Sequence, residues 1–214
     1  LGLDDVLDDS VNTSYIQSVT SLNVSWQNIW DLTGIEGFTS LTHLFCGTNY
    51  FSILDLSHNT ALKHLNIEGT SNGYITQIDL SQNIALEYLL VRDAGQVTSI
   101  DVTNCPLLSE LRLDNTGLYS LDVSNNVLLT YLQCNENNLT SLDVSNNVLL
   151  TYLDCMDNQI TNLDVGQNIN LSDLRCRDNQ ITSLDVSNNV LLTRLYCNDN
   201  QLTSLDLRNG NNTN

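Results

Sequence analysis

The chain has 214 residues, of which 25 are Asp or Glu and 7 are Lys or Arg, so its formal net charge is −18. This charge excludes a nucleic-acid ligand, because a polyanion would be repelled, and it disfavours anionic membrane surfaces. No run of 18 apolar residues occurs in the sequence, which predicts no membrane insertion. Leucine (39 residues) and asparagine (30 residues) make up about a third of the chain, and such a bias indicates an internal repeat.

A repeat built around the string Leu-x-x-Leu-x-Cys returns along the chain at a nearly constant spacing. Its copies start at Leu41, Leu62, Leu86, Leu108, Leu129, Leu150, Leu171 and Leu192. The intervals are 21, 24, 22, 21, 21, 21 and 21 residues, and an earlier copy begins at Val19. We therefore expect nine coils over residues 19–212 and an N-terminal cap segment over residues 1–18. Residues 213–214 are then the truncated start of further sequence in a longer protein.

Each coil contains two similar halves: Leu150-Thr-Tyr-Leu-Asp-Cys155 is followed by Ile160-Thr-Asn-Leu-Asp-Val165. Alternating apolar residues point inward from a short extended segment, and an Asn after each segment can bond backbone groups at the turn. About ten residues per half leave no room for a long helix beside the turns. The pattern predicts a solenoid with a parallel sheet on the first-half side and extended segments or turns opposite. A turn signal around Ser71-Asn-Gly73 predicts a small projecting loop in the longest coil.

The repeat has the form LxxLxCxxNxLxxLDLxxNxx and resembles the bacterial class of leucine-rich repeats with nested 21-residue units, over residues 19–212. The segment Gly2 to Ser40 is similar to the N-terminal caps of secreted and surface repeat proteins of gliding bacteria, and to the first internalin repeats. The resemblance implies an α/β-type but predominantly β solenoid, a right-handed leucine-rich-repeat superhelix with a concave parallel sheet and little helix. It also implies a secreted or cell-surface protein that binds a partner.

Five of the six cysteines share one inward position of the first-half strand: Cys46, Cys134, Cys155, Cys176 and Cys197. Metal binding is disfavoured, because no His shares this row and Ile, Val or Leu replaces the Cys in sister coils. Disulfides between neighbouring coils are within reach, but in-register side chains run parallel and oppose the required dihedral angle of about 90°. We therefore predict buried, reduced thiols.

An Asp recurs at one outward position of the second half of the coils: Asp55, Asp79, Asp101, Asp122, Asp143, Asp164, Asp185 and Asp206. Like charges about 4.8 Å apart repel by roughly 0.9 kcal/mol per pair in water, so this Asp column needs an offsetting interaction. We predict that neighbouring hydroxyls and backbone amides provide it. A column of Ca²⁺ ions is the alternative, although no calcium-binding motif is present. The sequence otherwise predicts no metal and no cofactor.

The outward residues of the first-half strands differ from coil to coil, whereas those of the second half hardly change. Diversity on one face is typical of a recognition surface, and Arg and Tyr are favoured interface anchors. The candidate ligand-binding residues are Tyr88, Arg112, Tyr131, Tyr152, Asp154, Asp173, Arg175, Arg177, Arg194 and Tyr196. In the alternative interpretation, Asp154 with Arg175 and Asp173 with Arg194 are cross-strand ion pairs that only hold adjacent coils together.

These features favour a non-enzymatic binding or adhesion module that recognises a protein or polysaccharide on its concave face. The sequence predicts no catalytic residues, because His43, His58 and His64 accompany no nucleophile signature and an open sheet offers no dry pocket. One alternative is a structural spacer or stalk of a larger surface protein, with no ligand of its own. A third hypothesis is ice binding by an outward Thr column, which Tyr119 interrupts.

Overall fold

A computed structural model describes residues 13–69, 75–205, 207 and 208 of the chain. Within them, helix is limited to α1 (Thr13–Ile16) and a 3₁₀ turn (Ile35–Gly37). The turn signal around Ser71-Asn-Gly73, the last Asp of the Asp column and most of the cap segment lie outside the described residues. The scarcity of helix expected from the short repeat is confirmed.

Nine short strands form one sheet in which every neighbouring pair is parallel and the strands follow one another in chain order. They are β1 (Ser21–Asn23), β2 (His43–Phe45), β4 (His64–Glu68), β6 (Tyr88–Arg92), β7 (Glu110–Arg112), β8 (Tyr131–Gln133), β9 (Tyr152–Asp154), β10 (Asp173–Arg175) and β11 (Arg194–Tyr196). Two further strands, β3 (Ile53–Asp55) and β5 (Gln77–Asp79), belong to second halves of coils and pair in parallel. The predicted β-solenoid with a parallel sheet is therefore confirmed.

The core is a column of apolar side chains that point inward from both halves of the coils. In the coil of β9, Leu150, Leu153 and Cys155 come from the first half, Ile160 and Val165 come from the second, and all five are fully buried. Burying such an aliphatic side chain stabilises the fold by about 1.5–3 kcal/mol relative to leaving it exposed. Because one coil cannot cover its own apolar surface, this stabilisation requires stacked neighbours.

Buried asparagines tie each coil to the next at the turn after the strand. The side-chain oxygen of Asn158 accepts the N–H of Leu139 at 2.9 Å, and its amide donates to the carbonyls of Cys134 at 3.0 Å and Cys155 at 3.2 Å. The same arrangement recurs at Asn179. These bonds satisfy backbone groups that the turn would otherwise bury unpaired, as the sequence predicts for this position.

The Asp column is held by local hydrogen bonds. Asp143 Oδ1 accepts the N–H of Ser145 at 2.9 Å, and Asp101 Oδ1 accepts both the hydroxyl and the N–H of Thr103, at 2.6 and 2.9 Å. Hydrogen bonds from Thr103 hold the pKa of Asp101 below its usual value. The predicted capping by hydroxyls and backbone amides is confirmed. Over the described part of the chain, no cluster of three or more His, Cys, Asp or Glu side chains could hold a metal ion.

All six cysteines are free thiols, and five of them are buried. Burial raises the pKa of Cys46 and of Cys176 to about 12, so these sulfurs stay protonated at neutral pH. The predicted burial is confirmed for four cysteines of the row, Cys46, Cys134, Cys155 and Cys176, whereas Cys197 is only half-buried. The exposure of Cys197 is a correction, and it arises because, among the described residues, β11 has a neighbouring strand on one side only.

Candidate functional site

The outward side chains of the nine-stranded sheet form straight rows, because its strands are parallel and in register. One row carries Tyr131 and Tyr152 on neighbouring strands, and the next row carries Asp154 beside Arg175. We call this outward side of the sheet the strand face. Nine of the ten predicted binding residues lie on its strands, and Arg177 follows β10 by two residues.

Five side chains form one continuous stack across β7 to β11: Arg112, Tyr131, Tyr152, Arg175 and Tyr196. The Arg112 guanidinium carbon lies 4.6 Å from the centre of the Tyr131 ring. The rings of Tyr131 and Tyr152 are 4.2 Å apart and inclined by 4°. Beyond Tyr152, the Arg175 guanidinium lies 5.1 Å from that ring and 5.4 Å from the ring of Tyr196. Both faces of Tyr131 and of Tyr152 are therefore covered, which leaves their edges toward the surroundings.

Carboxylates fix the arginines of the stack. Arg175 donates from Nε and Nη2 to the two oxygens of Asp173, each at 3.1 Å, and Arg194 donates to Asp173 Oδ2 at 2.9 Å. Arg112 directs its Nε and Nη2 to a single oxygen of Glu110, Oε1, each at 2.6 Å. Asp173 is buried, and burial by itself would raise its pKa. Hydrogen bonds from Arg175 and Arg194 outweigh this effect, so the pKa of Asp173 is lowered. The ionised carboxylate thus holds two guanidinium groups in place.

The sequence offered two cross-strand ion pairs that would only hold adjacent coils together, and the structure contains one of them. Asp173 and Arg194 are paired, but Arg175 binds Asp173 on its own strand, so the pair of Asp154 with Arg175 is not formed. Residues two apart on a strand share a face, and Asp173 offers both oxygens to the guanidinium fork. Asp154 instead accepts the Tyr152 hydroxyl at 3.1 Å and the Met156 N–H at 3.2 Å.

Asp154 and Asp173 are only 2% and 4% exposed, although their positions face outward. Arg175 and Arg194 donate hydrogen bonds to Asp173, and Tyr152 donates one to Asp154, so both carboxylates are placed to orient the stack. Burial raises the pKa of Asp154, and burial likewise raises the pKa of Tyr152. Tyr152 therefore keeps at neutral pH the hydroxyl proton that it donates to Asp154. The outward position alone could not reveal this burial, because it depends on which neighbours lean over each carboxylate.

Tyr88 and Arg177 lie outside the stack. The ring of Tyr88 is 5.7 Å from that of His64, which in turn stacks on His43 at 4.4 Å and 5°. Burial, followed by the neighbouring His43, lowers the pKa of His64, which favours its neutral form. Arg177 reaches Asp178 at 3.4 Å and Asp157 at 3.9 Å. The sequence predicts no catalytic role for these histidines, and the stacking of His43 on His64 is visible only in the structure.

The cations of the strand face are paired with acidic side chains. Lys63 binds Glu87 at 2.8 Å and Arg92 lies 3.5 Å from Glu68, in addition to the arginine pairs of the stack and of Arg177. Neighbouring carboxylates thus offset the positive charges that the sequence concentrates here. This arrangement provides no isolated cluster of cations for an anionic ligand, while it leaves planar guanidinium groups and aromatic edges partly exposed.

Comparison with known proteins agrees with this architecture. No family model matches the chain. Internalin J of Listeria monocytogenes serotype 4b (strain F2365) is 42% identical over 52 residues, which is 24% of this chain and 6% of that protein. The solved functional domain of InlJ from Listeria monocytogenes, described as including a cysteine ladder, has a TM-score of 0.60 and 32% identity over 94% of this chain. The chain is a leucine-rich-repeat solenoid that resembles the internalins.

This leucine-rich-repeat solenoid spans 54% of the InlJ domain that it resembles. The structure of internalin C2 from Listeria monocytogenes shares the fold, with a TM-score of 0.67 and 18% identity over 91% of this chain and 77% of that one. Among the described residues, no helix has the length and apolar character needed to span a membrane.

Proposed function

We propose that this solenoid is a non-enzymatic binding module, secreted or displayed at a cell surface, that recognises a protein through the strand face. The observation that carries the proposal is the stack, in which five large side chains from consecutive strands form one continuous surface. Arg and Tyr are the residue types that most often dominate binding energy when they lie near the centre of an interface. The resemblance to internalins supports the surface location.

The stack is already ordered before any ligand binds. The guanidinium of Arg175 is fixed by two hydrogen bonds to Asp173, and the hydroxyl of Tyr131 donates to Gln133 at 2.9 Å. Immobilising a flexible side chain at an interface costs about 0.5–1.5 kcal/mol, and a side chain that is ordered beforehand avoids most of this cost. Tyr196 is 45% exposed and the Arg194 side chain 62%, so contact area is left for a partner.

A protein fits this surface better than a polysaccharide does. A sugar that packs on an aromatic ring needs an open ring face, and both faces of Tyr131 and of Tyr152 are covered by other members of the stack. Ring edges and the remaining guanidinium N–H groups can instead contact backbone carbonyls and side chains of a protein. Nine strands about 4.8 Å apart give a face roughly 40 Å long, enough for a standard interface.

Within this proposal the ten candidate residues take different parts. Arg112, Tyr131, Tyr152, Arg175 and Tyr196 form the central contact surface, while Arg194, Arg177 and Tyr88 lie around it. Asp154 and Asp173 act as positioning residues, because they are buried and bond to members of the stack. We expect substitutions of the central residues to affect affinity more than those of the surrounding ones, as in other interfaces.

An array of surface proteins and glycans tests the proposal directly. We expect the wild-type chain to bind one or more proteins, and the double variant Tyr152→Ala with Arg175→Ala to lose those signals. Asp143→Asn is the matched control, because this Asp lies in the Asp column and an Asn can still accept the N–H of Ser145. Protein signals that survive in the double variant would contradict the strand-face assignment. A complete absence of signals would favour the spacer alternative.

A further inference from the structure

Trp26 occupies a turn position at which the backbone is left-handed, with φ 63°. The equivalent position lies five residues after the first residue of the strand in every described coil and is left-handed throughout, at Thr48, Gly69, Asp93, Asn115, Glu136, Asp157, Asp178 and Asp199. Glycine and short polar residues tolerate this conformation, whereas a bulky aromatic residue is strained in it. Trp26 is the one aromatic residue among these described turn positions.

Packing does not explain why a tryptophan stands there. Trp26 is 75% exposed, and within the described residues its ring contacts no other aromatic ring. Its backbone N–H donates to Gly47 at 3.1 Å, a bond that any non-proline residue could make. Trp30 differs, because its ring lies 4.7 Å from that of Tyr50. Backbone strain at an exposed aromatic residue with little packing is typical of a functional position.

Trp26 lines a half-open cavity of about 420 Å³ at the β1 end of the strand face, far along the sheet from the stack. Phe45 adds a second aromatic wall between Asn23 and Asn66, which occupy the same row on the flanking strands. Gly47 leaves the next row without a side chain, and a Cβ there would collide with the carbonyl of Glu68. The volume lies within the usual range for small-ligand sites, roughly 300–1,000 Å³.

The polar side chains of this cavity are two amides, two hydroxyls and two carboxylates: Asn23, Asn66, Ser25, Thr48, Glu68 and Asp93. Asn23 Oδ1 accepts the N–H of Ser25 at 3.0 Å and Asn66 Oδ1 accepts the N–H of Glu68 at 2.9 Å. With each oxygen engaged, the side-chain NH₂ groups of both asparagines are the parts suited to donate to a ligand. Glu68 supplies acceptor oxygens, and Arg92 at 3.5 Å offsets its charge.

We infer that this cavity binds a neutral sugar, with Trp26 as the platform on which the sugar ring packs. The C–H groups of a pyranose face carry partial positive charge and suit the negative face of the indole ring. Its hydroxyls can donate to Glu68 and accept from Asn23 and Asn66. A cationic group suits the site less well, because Arg92 lies beside Glu68 and Asp93 already accepts a hydrogen bond from the Asn115 amide at 3.0 Å. The site is independent of the proposed protein-binding stack.

Saturation-transfer NMR and tryptophan fluorescence test this inference with a panel of methyl β-D-glucopyranoside, lactose, mannobiose and chitobiose. The chain contains two tryptophans, so a Trp30→Phe background makes Trp26 the only tryptophan emitter. We expect at least one sugar to give a saturable change. Trp26→Asn should weaken that binding by about tenfold or more, while Trp30→Ala and the double variant of the stack should leave it unchanged. Because Asn tolerates the left-handed turn, Trp26→Asn should also raise the melting temperature.

Three results would overturn the inference. In the first, no sugar of the panel saturates the Trp26 signal at millimolar concentration. In the second, Trp26→Asn binds the sugar as tightly as the wild type or lowers the melting temperature, which would make Trp26 a packing residue. In the third, tetramethylammonium chloride saturates the Trp26 signal and the sugars do not, which would make the cavity a cation site.

Discussion

The rings of Tyr131 and Tyr152 lie parallel, 4.2 Å apart, on the neighbouring strands β8 and β9. In-register parallel pairing places equivalent residues of consecutive coils about 4.8 Å apart, which is close to the spacing of stacked rings. The same register brings Arg112 and Arg175 against the outer faces of this pair. The stack therefore exists only when the coils are stacked, and the repeat that builds the core also builds the candidate recognition surface.

Asp173→Asn should destabilise the chain, because a neutral amide cannot replace the carboxylate that binds Arg175 and Arg194. Asp173 is buried, and losing charge-assisted hydrogen bonds of this kind costs about 1.5–3 kcal/mol. The pKa of Asp173 is lower in the folded chain than in the unfolded chain. Its contribution to folding stability is therefore present above the unfolded-state pKa and is lost as the pH falls through the folded-state pKa. Urea unfolding at pH 7 and at progressively lower pH measures this loss.

Glu110→Gln is the matched control for Asp173→Asn. Glu110 also binds an arginine of the stack, but its side chain is 30% exposed, compared with 5% for Asp173. Solvent screens the more exposed pair, so we expect a cost below about 1 kcal/mol. Equal losses in the two variants, or a loss for Asp173→Asn that persists at low pH, would contradict the role given to this carboxylate.

Thiol titration of the native chain should separate Cys197 from the other cysteines. Burial raises the pKa of every cysteine, but Cys197 is half-buried and the other five are buried, so Cys197 should react first. All six thiols should react after denaturation. Inter-coil disulfides in mass spectra of the native protein would contradict the assignment of free thiols.

The melting temperature should change little when a chelator is added. The carboxylates of the Asp column accept local hydrogen bonds, such as that from Ser145 to Asp143 at 2.9 Å, and these bonds need no metal. Differential scanning calorimetry with and without EDTA provides the measurement. A large drop in EDTA that calcium reverses would instead support the column of Ca²⁺ ions.

Asp114→Asn should stabilise the chain at pH 7.5. Asp114 is buried, its Oδ1 has no hydrogen-bond partner within the part of the chain that the structure describes, and burial raises its pKa to about 6. When the pKa of an acid is higher in the folded chain than in the unfolded chain, its full contribution to stability is present below the unfolded-state pKa. That contribution is lost as the pH rises through the folded-state pKa. The gain from Asn should therefore vanish near pH 4. Asp101→Asn is the control and should give no gain, since hydrogen bonds from Thr103 lower the pKa of Asp101.

The rows of the strand face could be predicted from sequence, because a constant repeat with one strand per coil fixes the register. Which partner an arginine takes could not be predicted, since Asp173 and Asp154 are both within reach of Arg175 and local geometry selects Asp173. The burial of Asp154 and the half-exposure of Cys197 likewise depend on neighbours that a one-dimensional pattern does not contain.

The sequence contains enough information to predict that Trp26 occupies a left-handed turn position, although the strand positions alone do not reveal it. Trp26 aligns with Asp157, Asp178 and Asp199 in later coils, and a run of such residues at one turn position is typical of a left-handed backbone. Comparing every turn position between coils, and not only the strand positions, would have marked the tryptophan as the exception. The cavity beside it depends on side-chain packing and could not be read from the repeat.

The most direct test of the proposed function compares affinity and stability in the double variant Tyr152→Ala with Arg175→Ala, using a protein ligand identified on the array. We expect the variant to stay folded by circular dichroism, with a lower melting temperature, and to lose more than about 2 kcal/mol of binding free energy in calorimetric titration. Asp143→Asn should bind like the wild type. Unchanged affinity in a folded double variant with a lower melting temperature would show that the stack serves the fold alone, and would contradict the account.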